Sequence, residues 1–171
     1  MNESLVRWNA LDQDAAAKAV LPCCGSHAWA AALADARPFA SVGDLLATSS
    51  TIWRALPEEA WQEAFDSHPR IGEQKAQGHA TKASLQSSAQ EQAVALSVDE
   101  SAKLALQAAN RRYEERFGRI FIVCASGRGA GEILSALELR MTTDAAAEIV
   151  EAAEQQRQIT ELRLKRWLEA E

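Results

Sequence analysis

Little in this chain suggests a fold held by cross-links. It has three cysteines among 171 residues. Two of them, Cys23 and Cys24, are adjacent, and neighbouring cysteines rarely bridge each other, so no disulfide framework is visible. Glycine occurs eight times and proline four, and that scarcity of chain breakers favours helix over a turn-rich architecture. There is no run of five or more basic residues, so the electrostatic footprint of a nucleic-acid binder is missing. No apolar run is long enough to span a bilayer. Met1 is followed by Asn2, Glu3 and Ser4, without the basic and apolar regions of a secretory signal. The end Leu168-Glu169-Ala170-Glu171 is no peroxisomal address. These absences lead us to expect a reduced, cytoplasmic protein.

Hydrophobic residues make up 47% of the chain, with alanine dominant, which suits a globular helical protein and excludes a disordered one. The net charge of −6 speaks mainly to solubility. No internal repeat or low-complexity linker appears, and we expect one domain over residues 1–171. Helical signals run nearly end to end. Residues 12–20 predict an alanine-rich helix that stops at Pro22. Ser26 caps a helix over 27–36. Ser41-x-x-Asp44 opens one to about Leu56. Pro57 suits a first helical position for a helix that stops before His68, because a residue preceding proline avoids the α region. Residues 72–81 predict a polar loop, 84–96 a helix, and Ser97-x-x-Glu100 caps a long helix ending at Gly118. Residues 120–124 form the one β-like run; being single, it predicts a short buried extended segment. Helices over 130–139 and 144–168 follow, the last capped by Thr142 or Thr143. Its residues Ile149, Ala152, Ala153, Gln156, Ile159, Leu162 and Trp167 drift along one stripe. The fold class is therefore all-α, a bundle of about eight helices.

The residues most able to carry chemistry are His68, in the turn-forming run His68-Pro69-Arg70-Ile71-Gly72, and Ser88, Glu91 and Gln92 about twenty residues later. Histidine's unperturbed pKa lies nearest neutrality, so His68 can move a proton at physiological pH. A carboxylate beside it can orient the ring. Ser88, Glu91 and Gln92 stand at i, i+3 and i+4 and project from one helix face. The plain alternatives are a cap histidine, a solvated helix face and, for Arg163, a favourable charge near a helix C-terminus. His27, His68, His79 and Glu91 show none of the spacings of a metal site, so no metal is expected. Gly127-x-Gly129-x-Gly131 lacks the Lys-Ser/Thr ending of a phosphate loop and reads as a tight turn into a helix. Cys23 and Cys24 show no activating environment for a nucleophilic Cys–His pair.

These residues, in order, resemble the 2-oxo-4-hydroxy-4-carboxy-5-ureidoimidazoline (OHCU) decarboxylases of uric acid breakdown. Cys24-Gly25-Ser26-x-x-Trp29 with Arg37-Pro38-Phe39 is similar to the family's first signature. His68-Pro69-Arg70-Ile71-Gly72 and Ser88-x-x-Glu91-Gln92 are similar to its central ones. Asn110-x-x-Tyr113-x-x-Arg116-Phe117-Gly118-x-x-Phe121-Ile122 and Glu154-x-x-x-x-Ile159-x-x-x-Arg163-Leu164 are similar to its later ones. The resemblance implies an all-α bundle, often a homodimer, that needs no cofactor and acts on a small ureidoimidazoline. It implies that His68 and Glu91 are the catalytic pair. Substrate would be bound by Arg163, Gln92 and Ser88, with Pro69 and the backbone of Phe121, Ile122 and Val123 lining the pocket. The rival readings are a metal-dependent ureide hydrolase and a non-catalytic helical interaction module.

Overall fold

Helix is what an alanine-rich, glycine-poor chain should form. The computed structural model, which describes residues 2–71, 76, 78–96 and 100–170, bears this out. Its described residues form nine α-helices: α1 (Glu3–Asn9), α2 (Gln13–Cys24), α3 (His27–Asp35), α4 (Val42–Ala55), α5 (Glu58–Asp66), α6 (Lys82–Leu96), α7 (Glu100–Phe117), α8 (Ala130–Arg140) and α9 (Ala145–Glu169). Besides these, Pro69 and Ala76 form an isolated antiparallel bridge. The chain divides into two compact units, one of residues 1–64 with 157–171 and the other of residues 65–156. Helices α5 and α9 each supply residues to both.

In the first unit the caps follow from local chemistry. The Ser26 hydroxyl accepts the Trp29 N–H at the start of α3. Ser41 accepts the Asp44 N–H at 3.1 Å and donates to the Asp44 carboxylate at 2.8 Å. Helix α2 runs through Pro22, where the sequence predicted a stop. The proline removes one bond of the helix ladder, its own N–H to the carbonyl four residues earlier, and the helix continues for two residues past it. Gly25 then closes the helix in the left-handed region (φ 90°), its N–H bonding the Leu21 carbonyl. Helix α1 was not expected. It is one short element whose Asn2 side chain caps the Leu5 N–H and reaches the Leu168 carbonyl. It buries Leu5 and Trp8, and Trp8 stacks on Phe39 and meets Trp167 edge-on. Arg37 donates to the carbonyls of Trp8, Leu11 and Ala34 and lies over the Trp8 ring. Arg37-Pro38-Phe39 thus ties helix ends together.

The second unit is built on α7 and α8, which pack together, with α6 against α8. Leu106, Ala109 and Tyr113 of α7 meet Ile133 and Leu137 of α8 around Phe121 and Val123. Helix α7 ends where expected, with Gly118 at φ 68° and its N–H on the Glu114 carbonyl. Residues 120–125 carry neither helix nor strand and are all buried, in line with the predicted single buried segment. Thr81 caps α6, two residues earlier than expected, by accepting the Ser84 N–H. Asp144, rather than Thr142 or Thr143, caps α9 by accepting the Ala147 N–H at 2.8 Å. The two threonines instead donate to the carbonyls of Leu139 and Arg140. At α8 the Glu132 carboxylate accepts the Gly129 N–H, so the donor a phosphate loop would offer is taken by the helix itself. The Ser97 cap and residues 72–75 and 77 of the predicted loop lie outside the described residues.

Candidate active site

His68 follows the end of α5, its N–H bonding the Phe65 carbonyl at 3.0 Å. Of the three histidines it alone is buried, at 6% exposure. His79 is exposed, and His27 pairs with Glu63 at the surface. The His68 Nε2 lies 2.6 Å from the Gln156 Oε1 on α9. A carboxamide oxygen only accepts, so this contact is a hydrogen bond in the tautomer that carries its proton on Nε2. Pro69 is buried and its bridge to Ala76 steadies the turn. Arg70 is held at 2.5 and 2.8 Å by both carboxylate oxygens of Glu114 on α7. Arg70 is thus tied to α7 by a two-pronged ion pair, and His68 is the buried titratable member of the motif.

Ser88, Glu91 and Gln92 share one face of α6, and all three are buried, at 1%, 9% and 8% exposure. The reading of a solvated helix face does not survive that burial. Withdrawing a carboxylate, an amide and a hydroxyl from water is costly unless each is bonded. A cluster of that kind in the same unit as a buried histidine marks a candidate site.

The 120–125 segment is held from two sides. The Cys124 N–H donates to the Gln155 Oε1 of α9 at 2.9 Å, and Gln155 in turn donates to Glu151. Arg140 of α8 donates to the Ile122 carbonyl at 2.5 Å, and its guanidinium lies 4.5 Å over the Phe121 ring. Arg140 is paired with Glu148, which is 0% exposed. The same carboxylate accepts the Tyr113 hydroxyl, and the Thr143 hydroxyl, which donates to the Arg140 carbonyl at 2.8 Å, lies 3.2 Å from its other oxygen. Burial, and then that bond to Glu148, push the Tyr113 phenol well above its ordinary pKa. These contacts hold the segment at the Ile122 carbonyl, the Phe121 ring and the Cys124 N–H.

Arg163 belongs to the other unit. It is 3% exposed, and its Nη1 donates to the Pro22 carbonyl at 3.4 Å. Such burial does not fit a solvated charge at a helix end. Nearby, burial pushes the Cys24 thiol up to about 12, against smaller opposing effects of the Ser26 backbone, Thr160 and Arg163. All three cysteines are buried and unbridged, and the raised Cys24 pKa keeps that thiol protonated rather than activated. Among the described residues no group of three or more His, Cys, Asp or Glu is placed to hold a metal ion.

Sequence reasoning placed Gln156 in an apolar stripe and passed over Gln155, Arg140 and Glu148. The available signal was the glutamine itself, four residues after Ala152 and three before Ile159 on a core-facing stripe.

The comparisons with known proteins agree with one another. A family model described as OHCU decarboxylase matches residues 9–165, and so takes in residues of both units. The chain is 34% identical over 143 residues to the uric acid degradation bifunctional protein TTL of Arabidopsis thaliana, covering 83% of this chain and 44% of that protein. It thus spans less than half of that relative. It is 31% identical over 137 residues to a 2-oxo-4-hydroxy-4-carboxy-5-ureidoimidazoline decarboxylase of Amia calva, covering 80% of this chain and 77% of that protein. A crystal structure of an OHCU decarboxylase in the presence of (S)-allantoin matches with a TM-score of 0.76 and 32% identity, over 88% of this chain and 96% of that one. An (S)-allantoin synthase structure matches with a TM-score of 0.71 at 17% identity, over 95% of this chain and 53% of that one, which speaks to the fold alone. With the family match running across nearly the whole chain, this protein belongs to the OHCU decarboxylase family.

Proposed function

We propose that this protein converts OHCU to (S)-allantoin and CO2 in uric acid degradation, without a cofactor. The observation that carries the reading is the burial of His68, Ser88, Glu91 and Gln92 in one unit of a chain of this family. The chemistry fits such a set. When the carbon bearing the hydroxyl and carboxylate loses CO2, the electron pair left behind moves toward the adjacent ring C=N bond, and the ring nitrogen takes a proton. The heterocycle is its own electron sink, so the work of a carbanion-stabilising cofactor is already done by the substrate. The resulting enol then loses its hydroxyl proton and gains one at the neighbouring carbon, on one face. Protein groups are needed to hold the ring, turn the carboxylate out of plane and handle those protons.

We assign proton handling to His68 and Glu91. Ser88 and Gln92 supply neutral hydrogen bonds from the same helix face, and Arg163 a planar fork of donors for a carbonyl or carboxylate. Pro69 and the backbone of Phe121, Ile122 and Val123 provide the walls. Motif position supports each assignment, and burial supports those of the side chains. The enzyme acts in the cytoplasm as a homodimer, a state that light scattering of the purified protein tests. Among the described residues no helix is long and apolar enough to cross a membrane.

Freshly generated OHCU followed by circular dichroism, with and without the protein, tests the activity. The expected result is a fast signal of one sign that persists, as (S)-allantoin accumulates. An unchanged slow decay without lasting optical activity overturns the assignment.

A further inference from the structure

We propose that Gln156 is a positioning residue that holds His68 in its Nε2–H tautomer. This rests on the reading of His68 as the acid–base group and adds to it the residue that selects its tautomer.

Gln156 is 0% exposed in the middle of the longest helix. Its stripe neighbours Ala152, Ala153 and Ile159 are apolar and buried. An amide there loses its hydration and needs a reason to be tolerated. The reason visible in the structure is the bond from the His68 Nε2–H to its Oε1, at 2.6 Å and closed over 88 residues of sequence. With the Phe65 carbonyl holding the His68 N–H, the residue is pinned at its backbone and at its ring. Since the amide oxygen only accepts, the Nε2 proton stays in place in both charge states of the ring.

The neighbouring residue does a parallel job. Gln155 uses its own Oε1 to hold the Cys124 N–H and so the end of the 120–125 segment. Two consecutive glutamines, turned about 100° apart on the helix, thus anchor two separate parts of the candidate site. A neutral amide is suited to the task at position 156. A carboxylate partner would fix the tautomer and also stabilise the charged ring, whereas an amide fixes the tautomer alone.

The test compares wild type with Gln156→Leu and Gln156→Glu. Long-range 1H–15N correlation of the imidazoles, with the His68 signals assigned by their loss in His68→Gln, reads the tautomer directly and without substrate. Wild type should show a protonated Nε2, and Gln156→Leu a mixture of tautomers. With OHCU, Gln156→Leu should lower kcat roughly tenfold to a hundredfold, as expected for one lost buried hydrogen bond, with KM nearly unchanged. Gln156→Glu, which keeps the acceptor, should retain the Nε2–H tautomer and recover much of that loss. A wild-type ring protonated on Nδ1 alone, or a Gln156→Leu spectrum identical to wild type, overturns the proposal. So does a loss confined to KM. Should Gln156→Leu fail to fold, the wild-type and Gln156→Glu spectra still decide. Absence of turnover in wild type would overturn the reaction assigned above and leave the tautomer measurement standing.

Discussion

Replacing Glu148 by leucine should be among the most damaging single changes in this chain that add no bulk to the core. The carboxylate is 0% exposed and Arg140 is 7% exposed. Glu148 Oε1 accepts from Arg140 Nε at 2.8 Å and Nη2 at 2.5 Å, and also from the Tyr113 hydroxyl. Leucine leaves a guanidinium in the core with only the Ile122 carbonyl and the Phe121 ring to answer its charge. Removing one partner of such a pair costs about 3–5 kcal/mol, because the other charge stays buried. Removing all the polar parts together should cost far less. The triple variant Tyr113→Phe, Arg140→Met, Glu148→Leu strands neither charge nor phenol, and should fall within about 2 kcal/mol of wild type, the residue being the Ile122 carbonyl without its donor. Urea unfolding followed by far-UV circular dichroism measures both variants. A single variant that loses less than about 1 kcal/mol, or a triple as unstable as the single, would refute the account of this network as a buried charge that must be matched. Turnover separates stability from function here. The triple variant has lost the clamp on Ile122 and Phe121, and should bind OHCU more weakly although it is folded.

Three further outcomes are expected. His68→Ala should lower OHCU turnover by roughly 10²–10⁴-fold if the ring is the acid–base group, and near-normal turnover in the dichroism assay would remove it from the mechanism. Cys24 has its folded pKa raised from 9.0 to about 12 by burial. Both states are protonated below pH 9, and above it the unfolded chain ionises first, so stability should fall as pH rises from about 9 toward 12. Cys24→Ala should flatten that limb in urea midpoints taken at pH 8 and pH 10, and an unchanged slope would show that the limb has another source. A Cβ at Gly78 would sit 2.9 Å from the Asp66 Cβ and 3.1 Å from its carbonyl oxygen, while the Gly78 N–H bonds that same carbonyl at 2.7 Å. Gly78→Ala should therefore cost about 1–3 kcal/mol in thermal or urea unfolding, and a melt equal to wild type would mean that the close approach of Gly78 to Asp66 is relieved without cost.

What could be read from the sequence was what local chemistry decides. The caps at Ser26 and Ser41 and the stop at Gly118 each depend on a side chain and a backbone group a few residues apart, and the structure has them as expected. Helix α1 was missed because seven residues lie below the length at which a helix is stable alone; it exists through the burial of Leu5 and Trp8. Pro22 misled because a proline removes one ladder bond without having to end the helix. At the site, the motif residues were legible as residue types, but their burial was not. Glu148 stands in the first turn of α9, where a carboxylate is ordinarily explained by the helix dipole. Gln156 reads as one polar interruption of an apolar stripe. Both acquire meaning from partners 88 and 35 positions away, His68 and Tyr113, and no local pattern encodes such pairings.

The anchoring of three separate groups by one helix also constrains how this chain can change over evolutionary time. From the Asp144 cap, Glu148, Gln155 and Gln156 must each arrive at a fixed angle and height to meet Arg140, Cys124 and His68. One residue inserted between 149 and 154 would turn everything beyond it by about 100° and advance it by about 1.5 Å. Both glutamines would then miss their partners while Glu148 stayed in place. Val150, 60% exposed on the same stretch, can be exchanged for a polar residue with little effect. In this chain, then, the stretch from 144 to 156 can change in composition on its outer face but not in length.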